Sequence, residues 1–312
     1  MERLRAPSHA RHRARHRVPR RPRRRAPAAA LVLALAAPLA WGSATAPTTT
    51  PTPTTAVTTT AVTTTSVPAP PTTLVPTRDP FTTPGARAFL AGVSGNLTAG
   101  VEDLVSHRVY LYRPGVREYT ASLVKIDILA TLLHEAAQAG RSLSARQQRL
   151  ARAMIEESSN AAASVLWAQA GGRDAVASFD ALAGMTQTVP SWSWGAIATT
   201  ARDQLALLDV ITQPNALLDA PARALETSLM EQVAGFERFG VGWGAPPGAT
   251  VALKDGWYHE PVVGWQVDSA GLVRDGSRAY LVAMMINRGP SEGADEATLT
   301  ALARLIAAGL RP

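Results

Sequence analysis

The pattern of apolar and polar positions divides the chain from about residue 79 onward into strands and helices. Two short runs, separated by a turn, predict strands over residues 96–104 and 108–113. Helical patterns follow at residues 122–139, 144–158, 161–170, 175–182, 200–211 and 220–233. Three further strands and a closing amphipathic helix are predicted at residues 250–258, 264–274, 278–287 and 296–308.

This order of elements predicts an α+β domain over residues 79–312. Two strands, a helical block, three strands and a closing helix fit an antiparallel sheet that gathers both ends of the chain, with a helical subdomain inserted between them. We therefore expect one globular domain, built around a single sheet.

The segment before this domain has the composition of an export signal and a spacer. Residues 1–25 hold eleven Arg and one Glu, and the apolar stretch from about residue 28 to 41 is too short for a comfortable membrane span. We expect a signal peptide over residues 1–44, with an uncleaved short anchor as the alternative. Residues 47–77 contain 15 Thr and 7 Pro, which predicts a disordered linker over residues 45–78.

The positive net charge of the chain comes from this leader. The whole chain carries a formal charge of +7, but residues 26–312 hold 20 basic and 23 acidic side chains, a net of −3. A mildly acidic body argues against nucleic acid as a partner. The expected partner is a small molecule or a cell-wall peptide, and membrane contact is expected only through an uncleaved leader.

Two residue counts limit the available chemistry. The chain has no cysteine, which excludes thiolate nucleophiles, Cys-ligated zinc and iron–sulfur clusters; no metal or other cofactor is predicted. Of the 31 basic residues only two are lysines, Lys125 and Lys254. Chemistry that needs an amine able to lose its proton must use one of them, because guanidinium stays charged in proteins.

Ser122 and Lys125 form the first candidate motif. They lie three residues apart at the start of a predicted helix, so hydroxyl and amine share one helical face. A partly desolvated lysine can be neutral near pH 7 and accept the serine proton. The alternative is that Ser122 only caps the helix and Lys125 is solvated.

Two further motifs contain polar residues suited to a substrate pocket. Ser158 and Asn160 flank Ser159 where one predicted helix ends and the next begins; ordinary helix caps are the alternative. The second lysine opens the run Lys254-Asp255-Gly256-Trp257 on a predicted strand, where a glycine would let a substrate backbone approach. The alternative is a surface lysine paired with its neighbouring acid.

Taken together and in this order, the three motifs resemble the active-site signature of class A β-lactamases and penicillin-binding proteins. The resemblance covers about residues 86–312 and is strongest to an exported branch of β-lactamase-like serine hydrolases without an assigned substrate. It implies that Ser122 is the acylated nucleophile, Lys125 its base and Ser158 the proton shuttle. Asn160 would bind the substrate amide and Lys254 its carboxylate, with the backbone N–H groups of Ser122 and Trp257 forming the oxyanion hole.

The sequence departs from the family pattern at three places. Ser159 stands where the family has Asp, and Asp255 stands where it has a hydroxyl residue; an acid there is expected to oppose a substrate carboxylate. The Glu-x-x-Leu-Asn loop that supplies the deacylating glutamate is replaced by residues 188–195. We therefore expect a serine hydrolase that forms an acyl-enzyme but deacylates slowly. The alternative is a catalytically impaired cell-wall or partner-binding domain that retains the pocket.

Overall fold

The computed structural model describes residues 78–311. The predicted signal peptide over residues 1–44, and all but the last residue of the predicted linker over residues 45–78, lie outside the described residues. Within residues 78–311, every helix is too short or too polar to cross a lipid bilayer.

A five-stranded antiparallel sheet gathers both ends of the described chain. Its strands run in the order β2-β1-β7-β6-β5, so the first strand pairs directly with the last. Their bounds are Asn96–Asp103 (β1), Arg108–Tyr112 (β2), Thr250–Glu260 (β5), Gly264–Asp275 (β6) and Arg278–Asn287 (β7). A separate two-stranded ribbon joins Glu118–Tyr119 (β3) to Ala198–Thr199 (β4). The predicted α+β architecture is therefore confirmed.

The helices form the inserted block and cover the sheet. They are Pro84–Ala91 (α1), Val124–Gln138 (α2), Ala145–Glu156 (α3), Asn160–Ala170 (α4), Gly172–Leu182 (α5), Ala201–Thr212 (α6), Ala220–Glu231 (α7), Val241–Gly244 (α8) and Glu292–Gly309 (α9). The sequence pattern missed α1, α8 and the ribbon of β3 and β4, because elements of two to eight residues show little periodicity.

Local signals in the sequence set several of the boundaries. A capping box starts α3: the Ser144 side chain accepts from the Gln147 N–H, and the Gln147 side chain accepts from the Ser144 N–H. Gly171 ends α4 with a φ of 105°, a left-handed conformation that costs glycine little. The capping box fixes where α3 starts and Gly171 fixes where α4 ends, and the junction between the two helices carries Ser158 and Asn160.

The helix α2 is the centre of the helical block. Twelve of its fifteen residues are buried, since it packs against α3, α4, α5 and α7 at once. Each fully buried leucine or isoleucine side chain contributes about 1.5–3 kcal/mol of transfer free energy. A helix held from so many sides cannot shift easily, so the residues at its start have a fixed position.

Candidate active site

Ser122 lies on a short 3-10 turn, Ala121–Leu123, that runs directly into α2. The preceding residue, Ala121, has a φ of 43°, which a side-chain-bearing residue adopts only when its surroundings hold it there. Ser122 is half-buried. Its position at the N-terminal end of α2 places it where free backbone N–H groups favour negative charge.

The amine of Lys125 is the centre of the polar network. Lys125 is fully buried, and its Nζ lies 2.8 Å from Ser122 Oγ and 2.9 Å from Ser158 Oγ. The same nitrogen lies 2.5 Å from the backbone oxygen of Ser158 and 2.8 Å from Asn160 Oδ1. One side chain therefore joins the start of α2 to the junction between α3 and α4.

The partners of Lys125 are compatible with a neutral amine. The Ser158 carbonyl and the Asn160 amide oxygen can only accept, so they take two N–H donors. A neutral amine has two donors and one lone pair, and the lone pair is then free to accept from the hydroxyl of Ser122. An ammonium has three donors and no acceptor, and it would leave Ser122 with no base.

Burial shifts the titration of Lys125 in the same direction. Desolvation, reinforced by the positive charge of Lys254 and opposed by the negative charge of Glu237, lowers the pKa of Lys125 from 10.5 to about 7. A group with this pKa is present as the free base in a substantial fraction at neutral pH. The predicted proton acceptor is therefore chemically available beside Ser122.

An aromatic ring covers this amine. Lys125 Nζ lies 5.4 Å from the centroid of the Trp194 ring, and the Trp194 indole N–H reaches Ser164 Oγ on α4 at 3.4 Å. Trp194 belongs to the segment that replaces the family's glutamate-bearing loop. In this position the ring shields the amine from solvent, which contributes to its desolvation.

A cavity of about 260 Å³ opens above Ser122. Two of the predicted site residues besides Ser122, Asn160 and Trp257, line it. The remaining walls come from small and aromatic residues: Ala121, Ser193, Trp194, Gly195, Ala196 and Tyr258. Ser122 and Trp257, whose backbone N–H groups are the predicted oxyanion donors, thus face one cavity.

At the Ser158-Ser159-Asn160 junction, the first and third residues contact Lys125 and the middle residue caps a helix. Ser158 has a φ of 52°, and both of its oxygens contact the Lys125 amine. Asn160 is the first residue of α4 and contacts the same amine. Ser159 caps α4, since its Oγ accepts from the Ala162 N–H at 3.3 Å. The helix-cap alternative therefore describes Ser159 but not its two neighbours.

Lys254 takes a position that the sequence did not predict. It is fully buried, and its Nζ donates to Glu237 Oε2 at 2.8 Å in an ion pair with both side chains inside the protein. Lys254 does not line the cavity above Ser122. In this arrangement its amine is engaged by Glu237 and has no exposed surface.

Asp255 also lies away from the cavity. Side chains alternate along β5, so Lys254 and Gly256 share one face and Asp255 points to the other. Asp255 is paired with Ser269 in the register with β6 and is fully buried, and burial raises its carboxyl pKa well above the usual range. The acid that pairs with Lys254 is Glu237 and not the adjacent Asp255, and Asp255 does not line the cavity above Ser122.

Gly256 permits a close approach, but of the protein's own backbone. A Cβ built at Gly256 would lie 2.8 Å from Ser122 N, 2.7 Å from Leu123 N and 3.0 Å from the Thr120 carbonyl oxygen. Real Cβ atoms do not come this near to backbone atoms. The lack of a side chain at Gly256 therefore lets β5 pack directly against the turn that carries Ser122.

The residues that line the cavity supply no carboxylate for a deacylating water. Of the two acids between Ser159 and Arg202, Asp174 is exposed and paired with Arg173, and Asp180 is buried within the helical block. Both lie on α5. This cavity lining agrees with the sequence, in which residues 188–195 replace the glutamate-bearing loop of the family.

Sequence reasoning missed two buried acids near the site. Glu237 lies 17 residues before Lys254, and no short-range spacing rule links residues so far apart. Glu118 precedes Ser122 by four residues, accepts from the side-chain amide of Asn287, and has a pKa raised to about 8 by burial. A strand of two residues gave no pattern by which Glu118 could be predicted to be buried.

Comparisons with known proteins place this geometry in context. The sequence model of the family described as "Beta-lactamase enzyme family" matches residues 139–310, more than half of the chain. This match includes Ser158, Asn160 and Lys254 but begins after Ser122 and Lys125. The search of curated proteins gave no match.

Solved structures share the fold. A class A β-lactamase from Bacteroides cellulosilyticus superposes with a TM-score of 0.63 at 14% identity, covering 72% of this chain and 94% of that one. A β-lactamase from Burkholderia vietnamiensis gives 0.62 at 21% identity, covering 71% and 93%. A variant of PBP-A, in an acyl-enzyme complex with penicillin G, gives 0.63 at 17% identity, covering 71% and 92%. At these identities the likeness shows the fold alone.

The packing at Gly256 generates a prediction. Gly256→Ala should push the turn Ala121–Leu123 away from β5 and so lower the free energy of unfolding by about 1–3 kcal/mol. It should also reduce modification of Ser122 by a serine-reactive fluorophosphonate. Denaturant unfolding and intact mass spectrometry measure the two effects. Gly293→Ala is the matched control, since a Cβ at Gly293 meets nothing within 4 Å. Unchanged stability and labelling in Gly256→Ala would contradict the packing described here.

Proposed function

The chain belongs to the β-lactamase enzyme family, and from this premise we propose that it is a serine hydrolase that forms an acyl-enzyme on Ser122 with an amide, ester or lactam. The observation that carries the proposal is the buried amine of Lys125, 2.8 Å from Ser122 Oγ and with a pKa lowered to about 7. A serine hydroxyl needs such a base, since it is a weak nucleophile on its own.

The proposed acylation begins with proton transfer from Ser122 to Lys125. The Lys125 lone pair accepts the hydroxyl proton while Ser122 Oγ forms a bond to the carbonyl carbon of the substrate. The carbonyl electron pair moves onto oxygen, and the backbone N–H groups of Ser122 and Trp257 are proposed to stabilise that negative charge. Donors arranged in this way typically contribute about 10²–10³ in rate each.

Collapse of the intermediate expels the leaving group. The carbon–nitrogen or carbon–oxygen bond breaks, and the leaving atom takes a proton. Ser158 Oγ lies 2.9 Å from Lys125 Nζ, so the proton can pass from Lys125 through Ser158, as the family resemblance implies. Asn160 borders the cavity and holds the amine, and we assign it to the substrate amide and to fixing Lys125.

We further propose that the acyl-enzyme persists. Hydrolysis needs a base for the attacking water, and the residues lining the cavity include no carboxylate. Lys125 is the remaining group beside Ser122 that can accept a proton. Acyl transfer should therefore outpace release of the acid.

Covalent labelling tests the nucleophile. Incubation with a fluorophosphonate should add one adduct to Ser122. A panel of penicillins, which carry a carboxylate, should acylate Ser122 more slowly, and acyl adducts should persist because deacylation is slow. Intact and peptide mass spectrometry detect both the site and its lifetime. Ser122→Ala should show no adduct, and Ser193→Ala, which changes another serine of the cavity, should keep it. A folded wild-type protein without any adduct on Ser122 would refute the proposal.

The same observation of a cavity without a carboxylate favours one second candidate. A catalytically impaired wall-binding or partner-binding domain would keep the pocket and lose turnover. In that case Ser122→Ala would leave the binding of a wall peptide unchanged, as calorimetry can determine, and the labelling experiment would give no stable adduct.

The role of Lys125 predicts a pH dependence. Lys125 must be neutral to act, so the rate of Ser122 acylation should rise with pH between about 6 and 8 and then level off, following its pKa of about 7. Lys125→Arg should lower the rate by at least about 10²-fold, because guanidinium does not supply a free base. The converse exchange at an exposed position, Arg152→Lys, is the control. A Lys125→Arg protein labelled at the wild-type rate would exclude Lys125 as the base.

We also propose that the protein is exported, on the basis of residues 1–44. Their arginine-rich start, short apolar stretch and small residues near Ala44 are typical of a signal peptide. N-terminal sequencing of the mature protein should begin close after residue 44. Recovery of residues 1–40 on the mature protein inside the cell would argue against export.

A further inference from the structure

The cavity above Ser122 is lined without a formal charge. Its described walls are backbone, small side chains, hydroxyls, one amide and the aromatic residues Trp194, Trp257 and Tyr258. A carboxylate moved from water into such a site loses its hydration and gains no cation, and burying an unpaired charge is strongly unfavourable. The walls therefore select against a negatively charged substrate group.

The cation that the family resemblance implies for a substrate carboxylate is Lys254. Its charge is already balanced by an acid of the protein. Lys254 lies two residues before Gly256, which packs against the backbone of Ser122, but its amine donates to Glu237 at 2.8 Å. Both partners of this ion pair are almost completely buried. To reach a substrate carboxylate, Lys254 would have to leave Glu237 as a buried, uncompensated charge, which is strongly unfavourable.

Glu237 is held in place by its own segment. It ends a 3-10 turn, Gly235–Glu237. The next residue, Arg238, donates from Nη2 to the carbonyl oxygen of Val251 on β5 at 3.1 Å. This contact fastens the segment to the strand that carries Lys254, so Glu237 is a fixed counter-ion.

We infer that the site accepts an uncharged ester or amide with a flat apolar group, that it disfavours substrates bearing a carboxylate, and that Glu237 sets this preference by occupying Lys254. The inference rests on the proposed function and specifies its substrate class. The aromatic walls supply surface for the flat group, because ring faces and edges pack favourably in offset or edge-on contacts. Glu237 acts through Lys254 and is a positioning residue.

A matched pair of esters tests the preference. One is a phenylacetyl ester whose phenol leaving group bears a meta carboxylate, and the other is its methyl ester, in which that carboxylate is masked. In both, Ser122 Oγ bonds to the carbonyl carbon, the bond to the phenol oxygen breaks, and the serine proton passes to the phenolate. Phenol release and the mass of the Ser122 adduct follow acylation.

The wild-type protein should be acylated at least tenfold faster, as kcat/KM, by the methyl ester than by the carboxylate. Equal rates, or a faster reaction of the carboxylate, would overturn the inference and leave the proposed function intact. If neither ester acylates Ser122 but a fluorophosphonate does, the inference is also overturned and the nucleophile stands. If no reagent labels Ser122 in the folded protein, both are refuted.

Glu237→Gln separates the electrostatic role from a structural one. Glutamine keeps the shape and a hydrogen-bond acceptor but leaves the Lys254 charge unbalanced, so the carboxylate ester should gain at least tenfold relative to the methyl ester. Any effect on the pKa of Lys125 acts on both esters and cancels in their ratio. Glu231→Gln is the control, since Glu231 is partly exposed and lies 3.8 Å from Arg274 at the surface. An unchanged ratio in a folded Glu237→Gln protein would exclude Glu237 as the determinant.

A second variant keeps the test valid if Glu237→Gln does not fold. The double change Glu237→Gln with Lys254→Met removes both buried charges, and such replacements are often neutral or stabilising. This protein should retain the preference for the methyl ester, because no cation is released toward the cavity. Loss of the preference in the folded double variant would show that the ion pair does not govern it.

Discussion

The site depends on one buried amine that must find partners inside the protein. Lys125 has no access to water, so its hydrogen bonds come from Ser122, Ser158 and Asn160. Leaving such a group unpaired would cost several kcal/mol. This requirement explains why the α3–α4 junction turns toward α2 and why Ser158 tolerates a φ of 52°. The left-handed conformation of Ser158 is held by the same contacts that surround the Lys125 amine.

The two lysines of the chain are both buried, and their amines are stabilised in different ways. Desolvation lowers the pKa of Lys125 to about 7, so this lysine can become neutral by losing a proton. Lys254 instead keeps an ion pair with Glu237. The first arrangement places an amine that can be neutral next to the Ser122 hydroxyl, and the second pairs a buried cation with a buried carboxylate. Both follow from the low capacity of a protein interior to solvate charge.

Much of the fold could be predicted from the sequence because its elements carry strong local signals. The strand over residues 278–287 was predicted with its observed bounds, and the predicted helix junction at Ser158-Ser159-Asn160 is retained, with Ser159 as the cap of α4. For the site, the spacing of Ser122 and Lys125 on one helical turn was enough to predict their contact, which is local. The partners of Lys254 and the direction of Asp255 depend on strand register and on a distant segment, and these had no local signature.

The sequence by itself determined the α+β order of elements, the three polar motifs and the restriction of amine chemistry to two positions. These features can be predicted from periodicity, helix caps and residue counts, because none of these depends on how the elements pack together. Only the tertiary structure decided that Glu237 engages Lys254, that Trp194 covers Lys125 and that Gly256 packs on the turn of Ser122. Each of these contacts joins residues far apart in the chain, and burial and charge pairing between such residues arise only when the elements pack together.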